Sequence, residues 1–210
     1  MTTYTLRIHI GSNQLPFLQN PEAPHTLCIA RKVNEEYNIV WKGFEDFSEN
    51  TFIRWVNGNY LVFASSAFKN GALVKATSNS QSIQFKQQCK LNEFGVMEAA
   101  VDDPNAEDGT FELINNYREQ EAVNFGVGVK ANKESSIIYN TPMAVESGTT
   151  LTLTPHDEVR VWFSLNDKMS TMVLNDEREY IDVSFMDGRT TAEISYEGEE
   201  PGRATWWLIY

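Results

Sequence analysis

Cysteine and histidine are scarce in this sequence, basic residues are outnumbered, and no long apolar stretch interrupts it. Two cysteines in 210 residues, Cys28 and Cys89, cannot build a disulfide framework. Both sit beside strand-like segments, and in a reducing compartment they read as free, buried thiols. His25 stands three residues before Cys28. On a strand that spacing puts the two on opposite faces, so they make no nucleophile–base dyad. The histidines His9, His25 and His156 are isolated, and no His-x-His, His-Glu-x-x-His or Cys-x-x-Cys spacing occurs. The sequence therefore calls for no metal and no cofactor. Gly-x-Ser-x-Gly and the phosphate loop Gly-x-x-x-x-Gly-Lys-Ser/Thr are missing too. Gly126-Val127-Gly128 is too short for a dinucleotide loop and lies within an apolar run. No catalytic residue can be named, and a non-catalytic protein is expected.

Seventeen Lys and Arg face 29 Asp and Glu, a formal charge of −12. That argues against nucleic acid, whose phosphates need clustered positive charge. It also argues against attraction to anionic lipid. The start, Met1-Thr2-Thr3-Tyr4-Thr5-Leu6-Arg7, lacks the basic leader and continuous apolar core of a signal peptide. No run approaches the ~18 apolar residues of a membrane span, and no Asn-x-Ser/Thr sequon occurs. A cytoplasmic protein is expected from these features.

What is present is alternation. Tyr4–Ile10, Leu27–Val33, Phe52–Val56, Tyr60–Ala64, Val123–Val129, Val159–Phe163, Tyr180–Phe185, Thr191–Tyr196 and Thr205–Tyr210 all read as strands rich in β-branched and aromatic residues. So do Tyr37–Trp41 and Ala72–Ala76. Turn signals punctuate them. Asn57-Gly58, Asn70-Gly71 and Asp187-Gly188 each predict a tight hairpin, and Glu199-Glu200-Pro201-Gly202 precedes the last strand. No segment carries a sustained helical stripe. The expected fold class is all-β, an antiparallel β-sandwich.

A faint repeat runs at an offset of about 98 residues. Ile29–Glu36 lines up with Val127–Glu134, Asn50–Ile53 with Gly148–Leu151, and Ile83 and Phe85 with Ile181 and Val183. Spacing carries the match more than identity. Two readings follow, a true pair of pseudo-repeated Ig-like halves or chance. On the first, residues 1–97 form an N-terminal half, 98–110 an acidic linker and 111–210 a C-terminal half. Asp103–Gly109 offers alternating oxygen ligands but departs from the calcium-loop pattern, so a solvated turn is expected there.

Aromatics are the one excess. Five Trp, eight Tyr and twelve Phe make up 12% of the chain. Trp41, Trp55 and Trp162 lie in strand-like runs and are expected in the core. Trp206 and Trp207 are adjacent, so on a strand they face opposite sides. Trp206, Leu208 and Tyr210 would share one face, and Trp207 and Ile209 the other. A Trp beside polar groups stacks on sugar rings. The candidate ligand-binding residues are therefore Trp206, Trp207 and Tyr210, with Asn57, Asn59 and Tyr60 at a predicted hairpin tip. The function expected is lectin-like binding of carbohydrate or a similar small polar ligand. Alternatives are an enzyme of unrecognised type with a cleft between sheets or halves, and a leaderless cytolysin-like membrane binder, which the negative charge disfavours.

Overall fold

A computed structural model of the chain describes residues 2–131, 134–174 and 179–209. It is nearly all β. The strands are β1 (Thr3–Ile10), β2 (Thr26–Val33), β3 (Lys42–Phe44), β4 (Asn50–Val56), β5 (Tyr60–Ser65), β6 (Gln81–Ile83), β7 (Gln87–Leu91) and β8 (Val101–Asp102), followed by β9 (Phe111–Asn115). The second half of the chain adds β10 (Ala122–Ala131), β11 (Glu134–Asn140), β12 (Val145–Glu146), β13 (Thr150–Leu153), β14 (Pro155–Ser164), β15 (Tyr180–Ser184), β16 (Thr191–Glu200) and β17 (Arg203–Ile209). One helical turn, α1 (Leu15–Leu18), starts around Pro16, whose fixed φ suits a helix start. Among the described residues no helix is long and apolar enough to cross a membrane.

Four sheets result: β17-β16-β1-β4, β15-β14-β2-β3, β11-β10-β5-β6 with β12 on β10, and β13-β9-β7-β8. All pairings are antiparallel except β1 with β16 and β7 with β9, which are parallel. The faint sequence repeat is a repeat of this topology. Laying β1, β2, β3 and β4 on β9, β10, β11 and β13, and β5 to β8 on β14 to β17, reproduces every pairing of the four-strand sheets with its sense. Ile29 lies opposite Val161 just as Val127 lies opposite Val62, at offsets of 98 and 99 residues. The copies are interlocked. Two sheets combine β1–β4 with β14–β17, and the other two are built from β5–β13. Each sheet thus takes strands from both sides of residues 98–110. That acidic segment carries β8 and turns back into β9 of the same sheet.

This crossing changes the role of the predicted hairpins. Asn57-Gly58 joins β4 to β5, which lie in different sheets, and Asp187-Gly188 joins β15 to β16, which also do. Both are passages between layers. Asn57 keeps a negative φ, and Gly58 and Asn59 take the positive ones (101° and 54°). Asn70-Gly71 leads into one isolated bridge, Leu73 to Thr171, and the Gly71 amide donates to the Met172 carbonyl. Pro201-Gly202, by contrast, does close a hairpin, β16 to β17, with Gly202 at φ 74°.

One continuous core joins all four sheets. Leu6, Ile8 and Ile194 come from the first, Leu27, Ile29 and Val161 from the second, Tyr60, Val62 and Phe125 from the third, and Leu91, Phe111 and Leu113 from the fourth. Two smaller clusters cover the opposite faces of the sheets that hold β2 and β5. One gathers Cys28, Tyr37 and Trp162, the other Ile39, Phe63 and Met172. Segment 37–41, expected as a strand, is extended but carries only an isolated bridge. Ile39, Val40 and Trp41 enter three different clusters, and the backbone of the segment bonds to Thr171 on one side and Ile29 on the other. Trp41, Trp55 and Trp162 are all buried. Gly126 of β10 is a place of close approach. A Cβ there would lie 2.3 Å from the Phe63 ring.

Candidate functional site on an open sheet face

β17 alternates as its sequence requires. Trp206 and Leu208 turn inward, and Trp207 and Ile209 turn out. Trp206 stacks on Phe163 of β14 (5.4 Å, 15° between planes) and packs on Tyr196 at 4.8 Å. It fastens two sheets together, and its indole Nε1 is buried without a partner. Trp207 is 57% exposed. Tyr210 lies outside the described residues.

Among the described residues no layer packs over Trp207 on the outer face of the sheet β17-β16-β1-β4. Pairing registers fix two rows across it. One runs Trp207, Ser195, His9, Asn50, and the next Ile209, Glu193, Arg7, Phe52. Phe52 is 63% exposed. Between the aromatics the polar groups interact with one another. His9 Nδ1 is 3.3 Å from Asn50 Oδ1, and its Nε2 is 3.6 Å from Glu197. Arg7 reaches Glu193 at 3.9 Å. Two shallow hollows flank these rows, about 310 Å³ beside Ile209 and Glu193 and about 130 Å³ between His9, Asn50 and Phe52. The face thus offers an indole plane, carboxylate acceptors and amide or imidazole donors within one exposed surface.

Asn57 and Tyr60 belong to an interior site at the passage from β4 to β5. Asn57 Oδ1 accepts from Arg31 Nη2 (2.6 Å), from the Tyr60 hydroxyl (2.9 Å) and from the Gly58 amide (3.1 Å). Its Nδ2 donates to Asp157, which also accepts from the Tyr4 hydroxyl at 2.6 Å. Arg31 is 1% exposed, lies 5.5 Å from the Trp41 ring, and has its Nη1 buried without a partner. Burial and the Asp157 carboxylate push the Tyr4 hydroxyl up to about 12. Asn59 is exposed beside this cluster and contributes no side chain to it. The group ties β1, β2, β14 and the β4–β5 passage at one point.

Sequence reasoning named Trp207, Asn57 and Tyr60 but neither site around them. His9, Glu193 and Phe52 are the outward positions of alternating strands, so periodicity marked them as surface without saying that they share a face with Trp207. Arg31 and Asp157 carried no signal, because they reach Asn57 across 26 and 100 residues.

Other candidate chemistry resolves into structure. Lys86 holds Asp108 at 2.6 Å, which keeps that carboxyl below its ordinary range. Among the described residues no group of three or more His, Cys, Asp or Glu is arranged to hold a metal ion. Both cysteines are buried, and no disulfide joins them. Comparison with protein families, with curated proteins and with solved structures finds no match for this chain.

Proposed function

We propose that this protein is a non-catalytic, lectin-like binder of carbohydrate, and that the outer face of β17-β16-β1-β4 is its binding surface. One observation carries the reading: Trp207 stands exposed on a paired strand, on the same sheet face as the Glu193 and Glu197 carboxylates and the His9–Asn50 pair. An indole fixed by its sheet offers a flat apolar surface to the C–H face of a sugar ring at little cost in side-chain freedom. Glu193 and Glu197 accept from hydroxyls on the ring's edge, and Asn50 and Arg7 donate to them. Shallow hollows suit a sugar at the end of a chain better than an engulfed small molecule. The charge of −12 and the two buried thiols accord with a soluble protein of a reducing compartment, which is the setting we propose.

The test is a broad glycan array probed with the wild-type chain and with Trp207→Ala. Selective binding is expected, weakened about tenfold or more in the variant, as for a central aromatic anchor. Thermal stability should be unchanged. A wild-type chain that binds no glycan, or that instead releases dye from neutral or sphingolipid vesicles, would overturn the proposal.

A further inference from the structure

We infer that the chain carries a second saccharide site, on the sheet β13-β9-β7-β8, which makes it bivalent. The inference rests on the carbohydrate reading above and extends it to the other copy of the topology. The parallel pair β7 and β9 occupies there the place of β16 and β1. Inward-facing Cys89 pairs with Leu113 as inward-facing Ile194 pairs with Ile8, so outward Lys90 stands where Ser195 stands, next to Trp207's position.

At that place the surface is concave. A hollow of about 480 Å³ opens among Lys90, Asn92, Phe94, Glu98, Asn116 and Arg118. The volume lies within the range of small-ligand pockets. Phe94 is 77% exposed, yet its loop is pinned. Asn92 Oδ1 accepts from the amides of Phe94 (3.0 Å) and Val96 (3.1 Å). The Asn92 backbone closes the turn with Val96 and Gly95. Gly95, at φ 75°, lies against the Tyr117 ring, where a Cβ would stand 3.1 Å from it. An aromatic ring held out in water by an ordered loop is a preformed stacking surface.

The polar lining mixes donors with acceptors. Arg118 is 3.6 Å from Glu93, and Lys90 and Glu98 are joined through their backbones at 2.8 Å. The Asn116 side-chain amide has no protein partner among the described residues. A lining of balanced charge, rich in amides, fits neighbouring hydroxyls, each of which donates and accepts. The ligand class is therefore a neutral saccharide of one or two rings. Its contacts differ from those at Trp207, so the two sites need not prefer the same sugar. Two sites on different sheets of one chain allow it to cross-link glycan-bearing surfaces.

The experiment compares wild type, Trp207→Ala, Phe94→Ala and the double variant on a glycan array, and then in agglutination of beads coated with the glycans bound. Both residues are exposed, so unchanged thermal midpoints serve as the folding control. Arg118→Ala is a second probe of the hollow. The inference expects each single variant to retain binding to some glycan but to lose bead agglutination, and the double variant to lose both. Binding and agglutination untouched by Phe94→Ala and Arg118→Ala, but abolished by Trp207→Ala, would overturn the second site and leave the Trp207 reading standing. Binding lost in Phe94→Ala and untouched in Trp207→Ala would keep the hollow as a site, overturn bivalency and overturn the Trp207 reading. No glycan bound by wild type would overturn both.

Discussion

Asn57 is where a ligand role and an architectural role give opposite predictions. Replacing it by Ala removes the acceptor 2.6 Å from Arg31 Nη2, on a guanidinium that is 1% exposed. A hydrogen bond to a charged group contributes about 1.5–3 kcal/mol, and a neutral one about 0.5–1.5. The Tyr60 hydroxyl loses its acceptor and Asp157 loses a donor in the same step. Two of the lost hydrogen bonds involve charged groups and one a neutral hydroxyl, and together we take about 3–5 kcal/mol as the expected loss for Asn57→Ala. For a chain of this length it corresponds to a fall in Tm of roughly 6–20 °C. The assay is urea unfolding followed by tryptophan fluorescence, with the m-value checked for two-state behaviour. Pairing Arg31→Met with Asn57→Leu should recover most of the loss, because removing both partners leaves no stranded charge. A loss below about 1 kcal/mol for Asn57→Ala would refute the architectural reading. So would a double variant no more stable than Asn57→Leu alone.

Three further outcomes follow from the geometry. Gly126→Ala should destabilise by about 1–3 kcal/mol through overlap with the Phe63 ring. Phe63→Leu in the same chain should relieve part of that loss, and strict additivity in denaturation would count against the overlap. Burial, then Glu98, pushes the Cys89 thiol up to about 11 from 9.0. With the folded value above the unfolded one, the stability held by the neutral thiol is full below pH 9 and is lost as pH rises toward 11, on the order of 2–3 kcal/mol. The stability difference between wild type and Cys89→Ala should therefore shrink across that window, and a constant difference would contradict it. Residues 1–97 and 111–210, made separately, each hold only part of every sheet. We expect folded circular dichroism only on mixing them, and a fragment that unfolds cooperatively alone would show that the crossing pairings are dispensable.

The all-β class was legible because period-two alternation and β-branched content leave no other way to bury the apolar residues of this chain. The repeat was legible for the same reason: strand spacing survives when identity does not. Within β17 the sequence alone determined that Trp206 and Trp207 part company, since successive residues on a pleat face opposite ways. Which of them would meet water was a tertiary decision, made when Phe163 and Tyr196 closed over Trp206. Turn chemistry marked Asn57-Gly58 and Asp187-Gly188 as places where the chain reverses, because positive φ is a local property. Whether the flanking strands pair or part is not local. Here they enter different sheets, and the interlocked pairing of β1 with β16 and β2 with β14 follows from it. The same crossing brought Arg31 and Asp157 to Asn57, and set His9 and Phe52 on one sheet face with Trp207. Those meetings depend on strand partners far apart in sequence, and only the packed structure selects among the registers that the alternation allows.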